Sequence, residues 1–258
     1  MINAIKSLAA FTWRSRMKNA GVVVFAVIAL IPAIISFIAI QYAAEDLKPV
    51  DFLREYIVPI NVYFTLPFIA LFLTLPTVAS LYEKGAIAYI FTRPVPRWAC
   101  VAGILVGSIL SATPLLLLAA LAPSLVFGIF VPASFSEVMS LGFMHSSLLI
   151  FSVIPYCALC VLLAIWSKKP LLWAAFLLFF WGTVVGSLPG DAKIWSLHHY
   201  VMGLAKSMCG IEEVATGTGL LPPSATPPSD GLSVLVLMVI TVAMLYLAQL
   251  AAKKRDVY

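Results

Sequence analysis

Charged residues are scarce in this chain of 258 residues, in which Asp, Glu, Lys and Arg make up only 10% of the sequence. A soluble domain carries about 25% charged residues, so this chain cannot cover a water-facing surface. Hydrophobic residues make up 62%, and the mean hydropathy is +1.06. This composition predicts a polytopic membrane protein.

Several chemical signatures are missing from the sequence. No GxxxxGK[ST] loop occurs, so the chain has no phosphate-cradling ATP site of that kind. The HEXXH metal motif and the GxSxG nucleophile turn are absent too. No basic tract is interleaved with exposed aromatics, which argues against a nucleic-acid partner despite the net charge of +5. We therefore expect no catalytic residue and no cofactor in this chain.

Cysteine is also too rare for a disulfide scaffold at this length, with four residues in the whole chain. Cys157 and Cys160 form a CxxC inside an apolar run, where two small residues one helical turn apart favour packing over redox or metal chemistry. Cys100 lies in an apolar run, and Cys209 is predicted to lie in an external loop.

Long apolar runs predict one all-α transmembrane domain, residues 1–258, with six membrane-spanning helices. The predicted spans cover residues 20–43, 58–81, 99–122, 144–166, 171–188 and 232–252. Residues 81–98 form a cytoplasmic connection and residues 189–231 an external segment. The first half of the external segment predicts an amphipathic helix that lies at, or dips into, the outer interface, with apolar residues Ile194, Leu197, Val201, Leu204 and Met208.

The distribution of basic residues predicts the orientation. Six spans place both termini on one side, and that side holds twelve of the sixteen Lys and Arg residues, as the positive-inside rule requires of the cytoplasmic side. No Asp, Glu, Lys or Arg lies deep in any predicted span. Ion-coupled carriers generally place ionisable groups at membrane depth, so their absence argues against a secondary transporter.

The first 19 residues predict an interfacial helix. Ile2, Ile5, Ala9 and Thr12 fall on one helical face. Four further residues suit contact with anionic lipid headgroups, namely Trp13, Arg14, Arg16 and Lys18. A disordered basic lead-in is the alternative interpretation.

Two small-residue motifs predict close helix packing. Gly103-x-x-x-Gly107 lies in the third predicted span and Gly182-x-x-x-Gly186 in the fifth. Glycines at this spacing let two helix backbones approach closely. The spacing leaves open whether the partner helix belongs to the same chain or to a second copy.

The external segment holds the only concentration of ligand-type residues outside the predicted spans, and His145 lies near the external end of the fourth predicted span. His198 and His199 lie in the external segment, followed by Glu212 and Glu213. Adjacent residues on a helix point about 100° apart, so the two histidines do not readily bind one ion. Interfacial histidines are the favoured interpretation, and an external metal or haem contact is the weaker one.

A polar connection, LYEKGAIAYIFTRPVPRW, joins the second and third predicted spans. With the residues that follow, it resembles the permease subunits of type-2 ATP-binding-cassette exporters. That family typically has an acidic residue and a glycine after the second span, and an RPV-x-R run before the third. Here those positions are Glu83, Gly85, Arg93-Pro94-Val95 and Arg97. The six-span layout is similar as well.

The resemblance implies a mechanism and partners. Two permease chains are expected to pair as a homodimer in the bacterial cytoplasmic membrane, in contact with lipid. Each would dock a separate ATPase subunit, which binds the ATP and Mg. The residues implied in ATPase coupling are Glu83, Lys84, Gly85, Tyr89, Arg93, Pro94, Arg97, Lys168 and Lys169.

Two other interpretations stay open. The chain could be an integral membrane enzyme, or a metal- or haem-handling protein, that uses the external His and Glu residues. It could also be a membrane assembly subunit that transports nothing. The substrate is not set by the sequence, and export follows from the resemblance alone.

Overall fold

The computed structural model describes residues 2–17, 21–42, 48–83, 96–181, 185, 194–211 and 229–254. Within these ranges every regular element is helical, as the sequence predicts. We number the helices as α1 (Ile2–Met17), α2 (Gly21–Tyr42), α3, α4 (Arg97–Phe130), α5 (Phe135–Trp166), α6 (Pro170–Trp181), α7 (Leu197–Cys209) and α8 (Asp230–Lys254). Helix α3 is an unbroken run made of Pro49–Phe52, Leu53–Ile57, Val58–Ile60, Asn61–Thr65 and Leu66–Glu83.

Five of the described helices are long and apolar enough to cross a bilayer. Their candidate spans are Val22–Tyr42, Pro49–Pro76, Trp98–Phe130, Pro132–Trp166 and Asp230–Ala252. The predicted fifth span, 171–188, corresponds to α6, which at 1.5 Å per residue is only about 18 Å long where it is described. The protein is therefore a multi-pass membrane protein, and the sixth span and the orientation of the termini stay predictions.

Three helices extend further at the predicted outer end than hydropathy indicated. Helix α3 begins at Pro49 rather than at residue 58, α4 continues to Phe130, and α5 begins at Phe135. Residues 123–143, between the third and fourth predicted spans, are therefore mostly helical, and the short 3₁₀ turn Pro132–Ser134 lies between the two helices. Hydropathy marks where a helix leaves the hydrocarbon, whereas backbone hydrogen bonds can continue beyond that depth. With 34 residues, α4 is about 51 Å long, against a hydrocarbon core of about 30 Å.

Two prolines account for the irregular turns in α3. Its π-helical turns, Leu53–Ile57 and Asn61–Thr65, each end two positions before a proline, Pro59 and Pro67 respectively. A proline has no N–H, and its ring clashes with the carbonyl four residues earlier, so the preceding turn widens.

Helices α4 and α5 form an antiparallel hairpin at the centre of the fold. Gly142 lies against Ser124, and Gly128 lies against the ring of Phe135. In the most apolar stretch of α5, 78% of the residues are buried, whereas the corresponding figure for both α2 and α8 is 22%. Helix α5 is therefore central, and α2 and α8 present most of their apolar surface outward.

Candidate functional site

The ends of α3 and α4 lie at the same level of the bundle. The Asn61 side chain donates a hydrogen bond from Nδ2 to the carbonyl of Ala119 at 3.0 Å, which ties the two antiparallel helices at one height. From this contact, α3 continues 22 residues to Glu83, and α4 extends 22 residues back to Arg97. Both ends therefore lie about 33 Å from the contact, on the same side.

Helix α5 ends at that level too. The Thr74 hydroxyl approaches the Cys157 sulfur at 3.5 Å, which ties α3 to α5. Nine residues separate Thr74 from Glu83, and nine residues also separate Cys157 from Trp166. The last residue of α3, the first residue of α4 and the turn after α5 therefore lie at one common end of the bundle, which we call the coupling end.

Two of the predicted coupling side chains are described at this end. Lys168 and Lys169 are both exposed in the turn between α5 and α6. The backbone N–H of Lys169 donates to the Ser167 hydroxyl at 3.1 Å, which holds the turn. The other predicted residues lie outside the described side chains, namely Glu83, Lys84, Gly85, Tyr89, Arg93, Pro94 and Arg97.

The Gly103/Gly107 motif packs against α1 of the same chain. A Cβ at Gly103 would lie 2.9 Å from Leu8 Cβ, and a Cβ at Gly107 would lie 2.6 Å from Thr12 Cβ. Both contacts advance in the same direction, so α1 runs parallel to the first part of α4. Thr12 is buried, in line with the apolar face that helical spacing assigns to α1. The second motif, Gly182 and Gly186, lies outside the described residues.

The opposite face of α1 is exposed. Trp13 is 43% exposed, and Arg14 is exposed beside it. A groove of about 560 Å³ runs along this face, lined by Ser7, Ala10, Phe11, Arg14 and Ser15. Of the other predicted interface residues, Lys18 and the side chain of Arg16 lie outside the described part of the chain.

Helix α7, which the sequence predicts to be external, is inserted among the other helices rather than lying on them. His198 stacks on the ring of Tyr63 at a centroid distance of 5.2 Å and meets Tyr156 edge-on at 5.6 Å. Burial lowers the pKa of His198 to about 4, and a hydrogen bond with the Tyr63 backbone offsets part of this effect. The apolar spacing predicted an amphipathic helix, but it could not reveal that His198 belongs to the buried face.

The side chain of His199 has different surroundings from that of His198. His199 is half-buried and contacts Tyr200 edge-on at 5.4 Å. Across the described ranges, no three His, Cys, Asp or Glu side chains come together in a group that could hold a metal ion. All four cysteines are free and buried.

Arg54 contacts the C-terminal end of α7. Its guanidinium lies beside Gly210, which follows α7 and has a left-handed φ of 64°. Burial raises the pKa of the Cys209 thiol to about 11, although the nearby Arg54 charge acts in the opposite direction. Arg54 also lines a groove of about 730 Å³ with Lys48 and Glu137, at the predicted outer end of the bundle.

Asn61, Tyr63 and Tyr156 were not predicted as site residues. The sequence did contain a signal for Asn61 and Tyr63. Pro123 has no N–H to donate to the Ala119 carbonyl, and Pro67 has none to donate to the Tyr63 carbonyl, so both carbonyls are open to other donors. Asn61 donates to the Ala119 carbonyl, and His198 makes a hydrogen bond with the Tyr63 backbone.

No protein-family model and no curated protein matches the chain.

Proposed function

We propose that this chain is the membrane subunit of an ATP-binding-cassette exporter, driven by a separate cytoplasmic ATPase subunit. The observation that carries the proposal is that α3 and α5 end, and α4 begins, at one common level of the bundle. A partner docked there can act on three spans at once. The exposed Lys168 and Lys169 offer charged contacts to a partner at this end.

The geometry suits transmission of a push. Helix α4 is a single helix of 34 residues, so a tilt applied at Arg97 reaches the opposite end of the bundle. Helix α1 is interlocked with α4 at Gly103 and Gly107, so the two helices move together. A second copy of the chain completes the translocation path, and ATP-driven closure of two ATPase subunits alternates access between the two sides.

A separate motor is favoured because the candidate spans hold almost no Asp, Glu, Lys, Arg or His at depth; the exception is His145, which is buried in Pro132–Trp166. The candidate spans Val22–Tyr42 and Trp98–Phe130 contain no Asp, Glu, Lys or Arg. In Pro49–Pro76 the charged residues are Asp51, Arg54 and Glu55, all within its first seven positions. Ion-coupled transport generally needs ionisable groups at membrane depth.

The proposal is tested by purifying the full chain in mild detergent from the cells that naturally express it. We expect an ATPase subunit to co-purify and to hydrolyse ATP. The double substitution Lys168→Glu with Lys169→Glu should reduce the retained ATPase about tenfold, because it reverses both described charges at the coupling end. Lys48→Glu is the matched control, since Lys48 is an exposed lysine at the other end of α3.

Two results would contradict the proposal. One is purification of the intact chain without any nucleotide-hydrolysing subunit. The other is equal retention of the ATPase by the double variant and the Lys48→Glu control, which would place the docking surface elsewhere.

A further inference from the structure

Helix α7 begins deep in the bundle and rises to its predicted outer end. Its second residue, His198, contacts Tyr63, which is 14 residues, or about 20 Å, along α3 from Pro49. Its last turn lies beside Arg54, nine residues nearer the start of α3, and Ser207 there donates a hydrogen bond to Asp230. The N-terminus of α7 is therefore the inner end of this helix.

Polar groups at this inner end lack partners among the described residues. Ser196 is the N-cap of α7 and is 1% exposed, yet its side chain makes no capping hydrogen bond. Within the described part of the chain its hydroxyl has no hydrogen-bond partner, and neither does the hydroxyl of fully buried Tyr156, whose ring meets His198. Buried hydroxyls are normally paired, so these two point to a group that joins them when bound.

The chemistry at the inner end suits an acceptor with negative charge. The N–H of His199 donates to the Ser196 carbonyl, whereas the N–H groups of Leu197 and His198, the first two residues of α7, have no carbonyl to reach within the helix, and the helix dipole places partial positive charge there. The two hydroxyls add further donors. Carboxylate and phosphate groups bind helix N-termini for these reasons, and transporters use the N-termini of broken helices to hold anionic substrate groups inside the membrane.

We propose that Ser196, Tyr156 and the backbone N–H groups of Leu197 and His198 form a binding site for an oxyanion, the carboxylate or phosphate of a bound molecule. The site deepens the proposed function by naming a chemical group that the exported substrate carries. Binding can be measured on this chain alone, so its failure and the failure of the ATPase proposal are separate outcomes.

Two sources could supply the oxyanion, a soluble molecule or the headgroup phosphate of a lipid. The full chain, purified in detergent, is titrated with sodium phosphate or sodium acetate against sodium chloride at equal ionic strength. In a parallel arm it is titrated with phosphatidylglycerol against phosphatidylcholine. Thermal unfolding reports binding in every titration, because a ligand that binds the folded state raises the midpoint.

Two conservative variants locate the site. Ser196→Ala and Tyr156→Phe each remove one hydroxyl and should weaken anion binding about tenfold or more, as expected for a lost hydrogen bond to a charged group. Both should leave the ligand-free protein as stable as the wild type or more stable, because each hydroxyl lacks a partner in that state. The matched controls are Ser147→Ala and Tyr246→Phe, which alter exposed residues on α5 and α8.

The result of each arm is decisive. A phosphate or acetate shift that disappears in both variants and persists in both controls supports a soluble anionic ligand. The same pattern with phosphatidylglycerol alone supports a lipid phosphate. The proposal is overturned if no anion raises the midpoint beyond chloride, or if the variants bind within twofold of the wild type. Destabilisation of the ligand-free variants with unchanged binding would assign the hydroxyls to structure alone.

Discussion

Substitution of Gly107 by alanine tests the interlocking of α1 with α4. The new Cβ would lie 2.6 Å from Thr12 Cβ and 2.9 Å from the carbonyl oxygen of Ala9. Both distances are too short for unstrained contact, and one of the contacted atoms belongs to the backbone, so a side-chain rotation cannot relieve them. Helix α1 must shift away from α4.

The magnitude follows from overpacking, which typically costs about 1–3 kcal/mol. Alanine regains up to about 1 kcal/mol in a helix relative to glycine, so the net change is smaller than the strain. Gly231→Ala is the matched control, because a Cβ there meets nothing within 4 Å. Against this control, Gly107→Ala should lower the free energy of unfolding by about 1–3 kcal/mol.

The loss of stability in Gly103→Ala should lie between those of Gly107→Ala and Gly231→Ala. A Cβ at Gly103 would have looser contacts than one at Gly107, at 2.9 Å to Leu8 Cβ and 3.2 Å to the Ile5 carbonyl oxygen. Unfolding in detergent measures the order, and the rate of tryptic cleavage after the exposed Arg14 reports separation of α1 from α4. Equal stability of Gly107→Ala and Gly231→Ala, with unchanged cleavage, would refute the packing argument.

Three further predictions concern the outer half of the bundle. Asn61→Leu should lower the free energy of unfolding by about 1–3 kcal/mol, because it leaves the buried Ala119 carbonyl unpaired. Adding Pro123→Ala to this variant should restore part of the loss, because alanine supplies an N–H for that carbonyl. Unfolding of the single and double variants measures the coupling between the two positions. His198 has its ordinary pKa of 6.5 in the unfolded chain, whereas burial lowers this pKa to about 4 in the folded chain. The contribution of neutral His198 to the free energy of unfolding is therefore complete above pH 6.5 and is lost as the pH falls from 6.5 to 4. That contribution is at most about 3 kcal/mol, and the pH dependence of unfolding should flatten in His198→Gln, which still contains buried His145. Finally, maleimide should leave Cys209 unmodified at pH 7.5 in the folded chain and label it after denaturation; rapid labelling of the native protein would contradict its burial and raised thiol pKa.

The helical class and the central parts of the described spans were predictable because both depend on local composition. Apolar runs longer than the hydrocarbon core can hardly be anything but helices in lipid. The helix ends were less predictable, since Pro49 and Phe135 begin helices in stretches polar enough to lower the hydropathy. A hydropathy window measures depth in the bilayer, whereas a helix ends where its hydrogen bonds end.

Partners across the fold were harder to predict than elements. The spacing of Gly103 and Gly107 predicts a close neighbour but carries no information about which helix that neighbour is. Likewise, the apolar spacing of α7 is the same for a helix lying on the membrane surface and for one inserted in the bundle. The difference depends on His198, which counts as polar in any hydropathy scale but is buried between two tyrosines.

The prolines of α3 and α4 connect these observations. Pro67 and Pro123 each free a backbone carbonyl, and a side chain from another helix reaches across to that backbone, His198 in one case and Asn61 in the other. Helix-breaking residues thus become places where helices are tied together. The π-helical turns of α3 lie in the half of the bundle away from the coupling end, whereas Leu66–Glu83, leading to the coupling end, is α-helical. In the proposed mechanism, we expect a displacement that enters at Glu83 to travel along this segment, which contains Pro76, as far as Asn61–Thr65, where α3 contacts the inner end of α7.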